Sequence, residues 1–149
     1  MTGAFKPPNV VEVRKRFVKA WDEQHAIFVP GVCILEWGNH VARIGDPAAR
    51  DEAARLLANE VREALNPTQK QRKFTLVGVP DLPGLAALVE HWSAGEVDRL
   101  GLVDSAIAEH ARNFKKAALT QTQVHIWTGD AALKRAEPDS EAAPWILLS

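Results

Sequence analysis

Three carboxylates draw notice through their placement: Glu36, Asp104 and Asp130. Val124-His125-Ile126-Trp127 reads as a buried strand that breaks off into Thr128-Gly129-Asp130. Asp104 falls in the first turn of a helical run beginning at Leu102, and Glu36 lies a turn or so into the helix that follows the apolar run Ala26 to Val29. In an open α/β sheet, ligands bind beyond the carboxyl ends of the strands. Carboxylates meeting on such a rim would repel one another unless a cation neutralised them, and an all-oxygen donor set suits Mg²⁺ or Mn²⁺. The expectation is an acidic metal site. Each residue also has an ordinary structural reading: Asp104 complements a helix dipole, Asp130 caps the helix starting at Ala131, and Glu36 pairs with Arg43.

Other chemistries fare worse. Glu36, Asn39 and His40 share a helix face at i, i+3 and i+4, but one His and one carboxylate fall short of a zinc or iron set. Ser105 and His110 stand five apart on one helix, hence on different faces, which suggests no nucleophilic triad. Gly78-Val79-Pro80 and Gly101 match neither dinucleotide nor nucleoside-triphosphate loop spacing. Cys33 is the one cysteine, and its run Val32-Cys33-Ile34-Leu35 reads as the setting of a buried, inert thiol.

The elements that must position these groups follow from periodicity. Val10, Val13, Phe17, Ala20 and Trp21 recur at helical spacing, with Arg14, Lys15, Arg16 and Lys19 on the other face. Ala26 to Val29, closed by Pro30-Gly31, predicts a buried strand, Val32 to Ile44 a helix, and Pro47 to about Leu65 another. After a polar, basic loop containing Lys70, Arg72 and Lys73 comes a strand over Phe74 to Val79, then a helix from Leu82 to Trp92. Leu102 to Lys115 predicts a helix with Val103, Ile107, Ala111 and Phe114 inward, and Trp145 to Leu148 a last strand. Strands alternating with helices point to an α/β domain with a mostly parallel central sheet and helices on both faces.

The 149 residues, 46% hydrophobic and 25% charged, fit one globular domain. No run approaches the roughly 20 apolar residues of a membrane span, and the N-terminus lacks a signal-peptide layout, so the expectation is a soluble, cytoplasmic protein. Residues 1 to 75 carry 12 Lys and Arg against 9 Asp and Glu, a net +3, whereas residues 76 to 149 carry 6 against 10, a net −4. That division permits a basic surface for a polyanion beside an acidic pocket for metal.

In order and context these residues resemble the PIN domain family of metal-dependent nucleases. The carriers are Val29-Pro30 with Ile34-Leu35-Glu36, then Gly101-Leu102-Val103-Asp104-Ser105-Ala106-Ile107, then Trp127-Thr128-Gly129-Asp130. The likeness spans roughly residues 10 to 149. It implies a three-layer α/β/α fold and Mg²⁺- or Mn²⁺-dependent endoribonuclease activity. Glu36, Asp104 and Asp130 would then be the metal ligands, Thr128 or Ser105 would orient a ligand or phosphate, and Asp98 would be a possible extra carboxylate. Arg14, Lys15, Lys19, Arg72 and Lys73 are the candidate RNA contacts. Small members of the family suggest a toxin paired with an antitoxin, and pairing into homodimers. One departure stands out: the family's opening strand, which ends in an Asp, has no counterpart after Met1-Thr2-Gly3-Ala4-Phe5. Two readings of that departure stand open: a catalytically incomplete PIN-like module that binds RNA or protein, or a strand supplied from upstream or by another chain.

Overall fold

The computed structural model describes residues 7–66, 68, 73–78, 80–96 and 98–141, with side chains from residue 11 onward. They form an α/β arrangement of six helices and a small parallel sheet of two strands. The chain divides into two compact units, Met1–Val29 with Leu35–Val77, and Pro30–Ile34 with Gly78–Ser149. Among the described residues no helix is long and apolar enough to cross a membrane.

In the first unit, α1 (Pro7–Asp22) buries Ala20 and half-buries Val13 and Phe17, as its periodicity predicts. Phe17 stacks on Trp21 with ring centroids 6.4 Å apart. The helix stops where Gln24 takes a positive φ of 57°, letting Gln24 N donate to Trp21 O and His25 N to Ala20 O. This is the left-handed closure usually given to glycine. Strand β1 (Phe28–Pro30) pairs with β2 (Thr75–Val77), and Thr75 N donates to Ile27 O at 2.8 Å beside them. Both strands are three residues long, shorter than the runs Ala26 to Val29 and Phe74 to Val79 suggested. Helix α2 (Gly31–Ala42) starts directly after Pro30 and buries Val41. Helix α3 (Pro47–Leu65) keeps its expected bounds because Asp46 caps it, accepting from Ala49 N at 2.7 Å, and Pro47 opens it.

In the second unit, α4 (Leu82–Gly95) is capped by Asp81, which accepts from Gly84 N at 2.8 Å. A β-carbon on Gly84 would stand 3.0 Å from that same carboxylate, so the tight cap leaves room for little else. Helix α4 packs on α5 (Leu102–Ala117), and α5 on the short α6 (Ala131–Arg135). The core is Leu100, Ala108, Ile126 and Leu133, with Ile107, Ala111, Ala132 and Ala136 packed on it. The inward face of α5 is thus centred on Ser105 and Ala108; of the stripe read from the sequence, Ile107 and Ala111 lie against the core while Val103 and Phe114 are exposed. Val103 and Phe114 fall off that face, whose most buried positions, Ser105, Ala106 and Ala108, carry small side chains.

Among the described residues, the expected strand over Val124 to Trp127 forms no strand pairing. Two of its amides are met by side chains instead: Val124 N donates to Asp139 Oδ2 at 2.7 Å and Ile126 N to Glu137 Oε2 at 3.0 Å. The expected strand over Trp145 to Leu148 lies outside the described residues.

Candidate functional site

Asp130 is held by its own neighbourhood. Its Oδ1 accepts from Ala132 N at 2.7 Å and Leu133 N at 2.8 Å, capping α6, while Asp130 N donates to Thr128 Oγ1 at 3.0 Å. Thr128-Gly129-Asp130 is therefore a hydroxyl-closed turn running into a helix cap, two devices that satisfy backbone donors locally. Both bonds to the carboxylate fall on Oδ1, so Oδ2 accepts no hydrogen bond among the described residues.

Asp104 lies in the first turn of α5, half-buried, with Oδ2 3.5 Å from where a β-carbon on Gly101, the helix N-cap, would stand. Its charge also reaches Cys33. That half-buried thiol is pushed above its ordinary range by burial first and by the Asp104 carboxylate second. Both causes act in the direction of the inertness expected from the apolar run around Cys33, since the thiolate is the reactive form.

Glu36, in the first unit, has two neighbours on α2: Asn39 Nδ2 at 3.5 Å and His40 Nε2 at 3.4 Å. The i, i+3, i+4 grouping expected from spacing is real, and it is exposed. Asp98 is an exposed turn residue between α4 and α5. Among the described residues, no three or more His, Cys, Asp or Glu gather in a group that could hold a metal ion.

Ser105 is fully buried and donates its hydroxyl to Glu96 Oε2. Arg112 places both terminal nitrogens 3.3 Å from the other oxygen of Glu96, and His91 Nε2 stands 3.5 Å from it. The hydroxyl bond, helped by Arg112 and His91 and opposed by desolvation, holds the Glu96 carboxyl below the usual range. The sequence points to Ser105 but not to Glu96, which falls between the helices expected over Leu82 to Trp92 and Leu102 to Lys115. The available signal was the spacing of Ser105 and Arg112, seven apart on one face of α5.

A second network surrounds Lys134. The Lys134 side chain is 4% exposed, and its ammonium lies 2.7 Å from Glu137 Oε2, 2.8 Å from Glu141 Oε2 and 3.1 Å from Ile126 O. Nearby, Lys115 Nζ bonds Asp139 Oδ2 at 2.9 Å and Thr122 O at 2.6 Å, and His125 Nδ1 lies 3.1 Å from Asp139 O. The Lys115 bond and the Val124 amide together hold the Asp139 carboxyl low. Lys134, Glu137 and Glu141 sit at i, i+3 and i+7, a spacing easily taken for a solvated helix edge.

Of the basic candidates, Arg14, Lys15 and Lys19 are exposed on α1. Lys19 stands 3.8 Å from Glu23, whereas Arg14 and Lys15 have no ion pair among the described residues. Lys73 is bound to Glu60 at 2.6 Å, which raises its pKa, and Arg72 lies outside the described residues. No protein-family model, curated protein or solved structure matches this chain.

Proposed function

We propose that the chain is a PIN-like α/β/α module that binds RNA through the outer face of α1. The observation that carries this reading is the pair Arg14 and Lys15, adjacent, exposed and without ion partners among the described residues, while Lys73 is matched to Glu60. Unpaired cations at that spacing suit successive phosphates, whose neutralisation releases counterions and makes affinity fall with salt. The side chains that a nuclease would employ support binding over cutting. Ser105 is spent on Glu96, Thr128 on the turn, and one oxygen of Asp130 on the α6 cap.

Anisotropy of a fluorescent single-stranded RNA, titrated from 50 to 200 mM salt, tests this, 50–200 mM being roughly the range over which phosphate contacts report themselves. Arg14→Gln and Lys15→Gln should each flatten the log–log salt slope by about 1. No binding at the lowest salt, or a slope indifferent to both changes, would refute it.

The second reading is a Mg²⁺- or Mn²⁺-dependent endoribonuclease acting as the toxin partner of an antitoxin protein. What favours it is the Oδ2 of Asp130, which accepts no hydrogen bond among the described residues, together with a second carboxylate, Asp104, at another helix start of the same unit. The donors are chemically right for a hard cation. A bound ion would supply an acidified water for attack at phosphorus. Under this reading millimolar Mn²⁺ raises the melting temperature and RNA is cut, and both effects vanish in Asp104→Asn and Asp130→Asn. Cleavage that survives both substitutions removes the site.

A further inference from the structure

We propose that Trp21 is a base-stacking platform beside the Arg14 and Lys15 cations, and that α1 accordingly takes single-stranded rather than duplex RNA, an inference that rests on the RNA-binding reading of this helix. Helical spacing puts Val11, Arg14, Val18 and Trp21 on one flank of α1, beside the inward face of Val13, Phe17 and Ala20. All four are exposed, Val18 by 50% and Trp21 by 40%. Phe17 backs the indole from one side, with ring centroids 6.4 Å and planes 21° apart, and no other ring meets it among the described residues. A half-buried phenylalanine behind an exposed indole fixes that ring in advance, so that stacking on it orders little more of the protein. The indole N–H separates this tryptophan from one that serves the fold. Trp92 gives its Nε1 to Leu100 O at 2.8 Å, whereas the Trp21 Nε1 donates to no partner among the described residues.

Charge selects the occupant. Lys19 stands 3.8 Å from Glu23 and Arg16 holds Glu12 at 3.1 Å, which leaves Arg14 and Lys15 as the α1 cations with no ion pair among the described residues. Asp22 is the exposed carboxylate of that outer surface and stands at the far end of the helix. Arg14 precedes Trp21 by seven residues, about 10 Å along the axis, the length of about three stacked nucleotides at roughly 3.4 Å each. A strand with phosphates on Arg14 and Lys15 therefore brings a base to Trp21 within a few nucleotides. In a duplex each base is covered by its neighbours, and the deep, narrow major groove of A-form RNA keeps side chains from the bases. An unstacked base offers the free π-face that an indole covers, and every base has one, so the preference is for strandedness rather than sequence.

Fluorescence anisotropy of the full chain with a labelled single-stranded RNA of about 10 nucleotides, the same strand carrying abasic sites, and its duplex tests the proposal. The intact single strand should bind about 5- to 150-fold more tightly than the abasic strand, and more tightly than the duplex matched for phosphate. Trp21→Ala should weaken the intact strand by a similar factor with the salt slope unmoved, since no phosphate contact is lost. Trp21→Phe, which keeps an aromatic face, should restore most of the affinity. Far-UV circular dichroism checks that Trp21→Ala is folded, and the abasic and duplex comparisons use the unaltered chain. Equal affinity for the intact and abasic strands or for the duplex overturns the proposal, as does a folded Trp21→Ala that binds like the unaltered chain. If the salt slope still depends on Arg14 and Lys15 in those cases, phosphate binding by α1 stands without the platform; absence of all binding at the lowest salt removes both.

Discussion

Replacing Lys134 by methionine isolates the electrostatic part of the second unit's stability. Methionine fills most of the space of the lysine stem, so little packing is lost. What disappears is the cation between Glu137, Glu141 and the Ile126 carbonyl, at 2.7, 2.8 and 3.1 Å. The Glu137 side chain is only 7% exposed, and it still accepts from Ile126 N at 3.0 Å and Glu141 N at 3.3 Å. Two amide donors do not replace a countercharge. Removing one member of a buried pair costs about 3–5 kcal/mol, because the survivor keeps its desolvation without compensation. Against a total of about 5–15 kcal/mol for a domain, that loss is large. Urea denaturation followed by far-UV circular dichroism measures it, with Lys73→Met as the control. The Lys73–Glu60 pair is shorter, at 2.6 Å, yet its lysine side chain is 49% exposed. Solvent screening holds its contribution to about 0–1 kcal/mol. Adding Glu137→Gln to Lys134→Met should recover part of the loss by removing the stranded charge. If Lys134→Met costs no more than Lys73→Met, the network is ornamental and the reasoning fails.

The remaining predictions concern the candidate site. Asp130→Ala should cost about 1 kcal/mol through loss of the α6 cap, whereas Asp130→Asn, which retains a capping oxygen, should cost a few tenths; equal losses in urea melts would deny the capping role. Glu96 and Asp139 have lowered pKa values in the folded chain, so the stability they confer is present above their unfolded pKa of about 4 and lost as pH falls through the folded values. Ser105→Ala removes the leading cause of the Glu96 shift and should move the acid-unfolding midpoint to higher pH; an unmoved midpoint contradicts the assignment. At pH 8 the Cys33 thiol should react with iodoacetamide more slowly than a free cysteine, and Asp104→Asn should speed it by withdrawing a repelling charge; an unchanged rate would separate the two groups.

Much of the helical structure was legible in the sequence because its signals are local. Asp46-Pro47 and the apolar period behind it set α3 residue for residue, and Asp104 in a first turn marked α5. The strands were less legible. Val124 to Trp127 has the composition of a strand, but pairing depends on which groups reach its amides, and the nearest are carboxylates at 137 and 139. Composition describes what a backbone prefers; it carries no information about which distant side chain arrives first.

The same division runs through the candidate site. The sequence by itself determined that Thr128-Gly129-Asp130 would turn and cap, because all three hydrogen bonds reach no farther than three residues. It also determined that Glu36, Asn39 and His40 would be neighbours, since helical spacing alone brings them together. Only tertiary structure decided that Ser105 faces Glu96 across nine residues, that Lys134 is buried among acids, and that Arg14 and Lys15 have no ion pair among the described residues while Lys73 has one. Charge and hydroxyl chemistry are properties of a residue; whether they are spent inside the fold or left for a ligand depends on burial and on partners far along the chain.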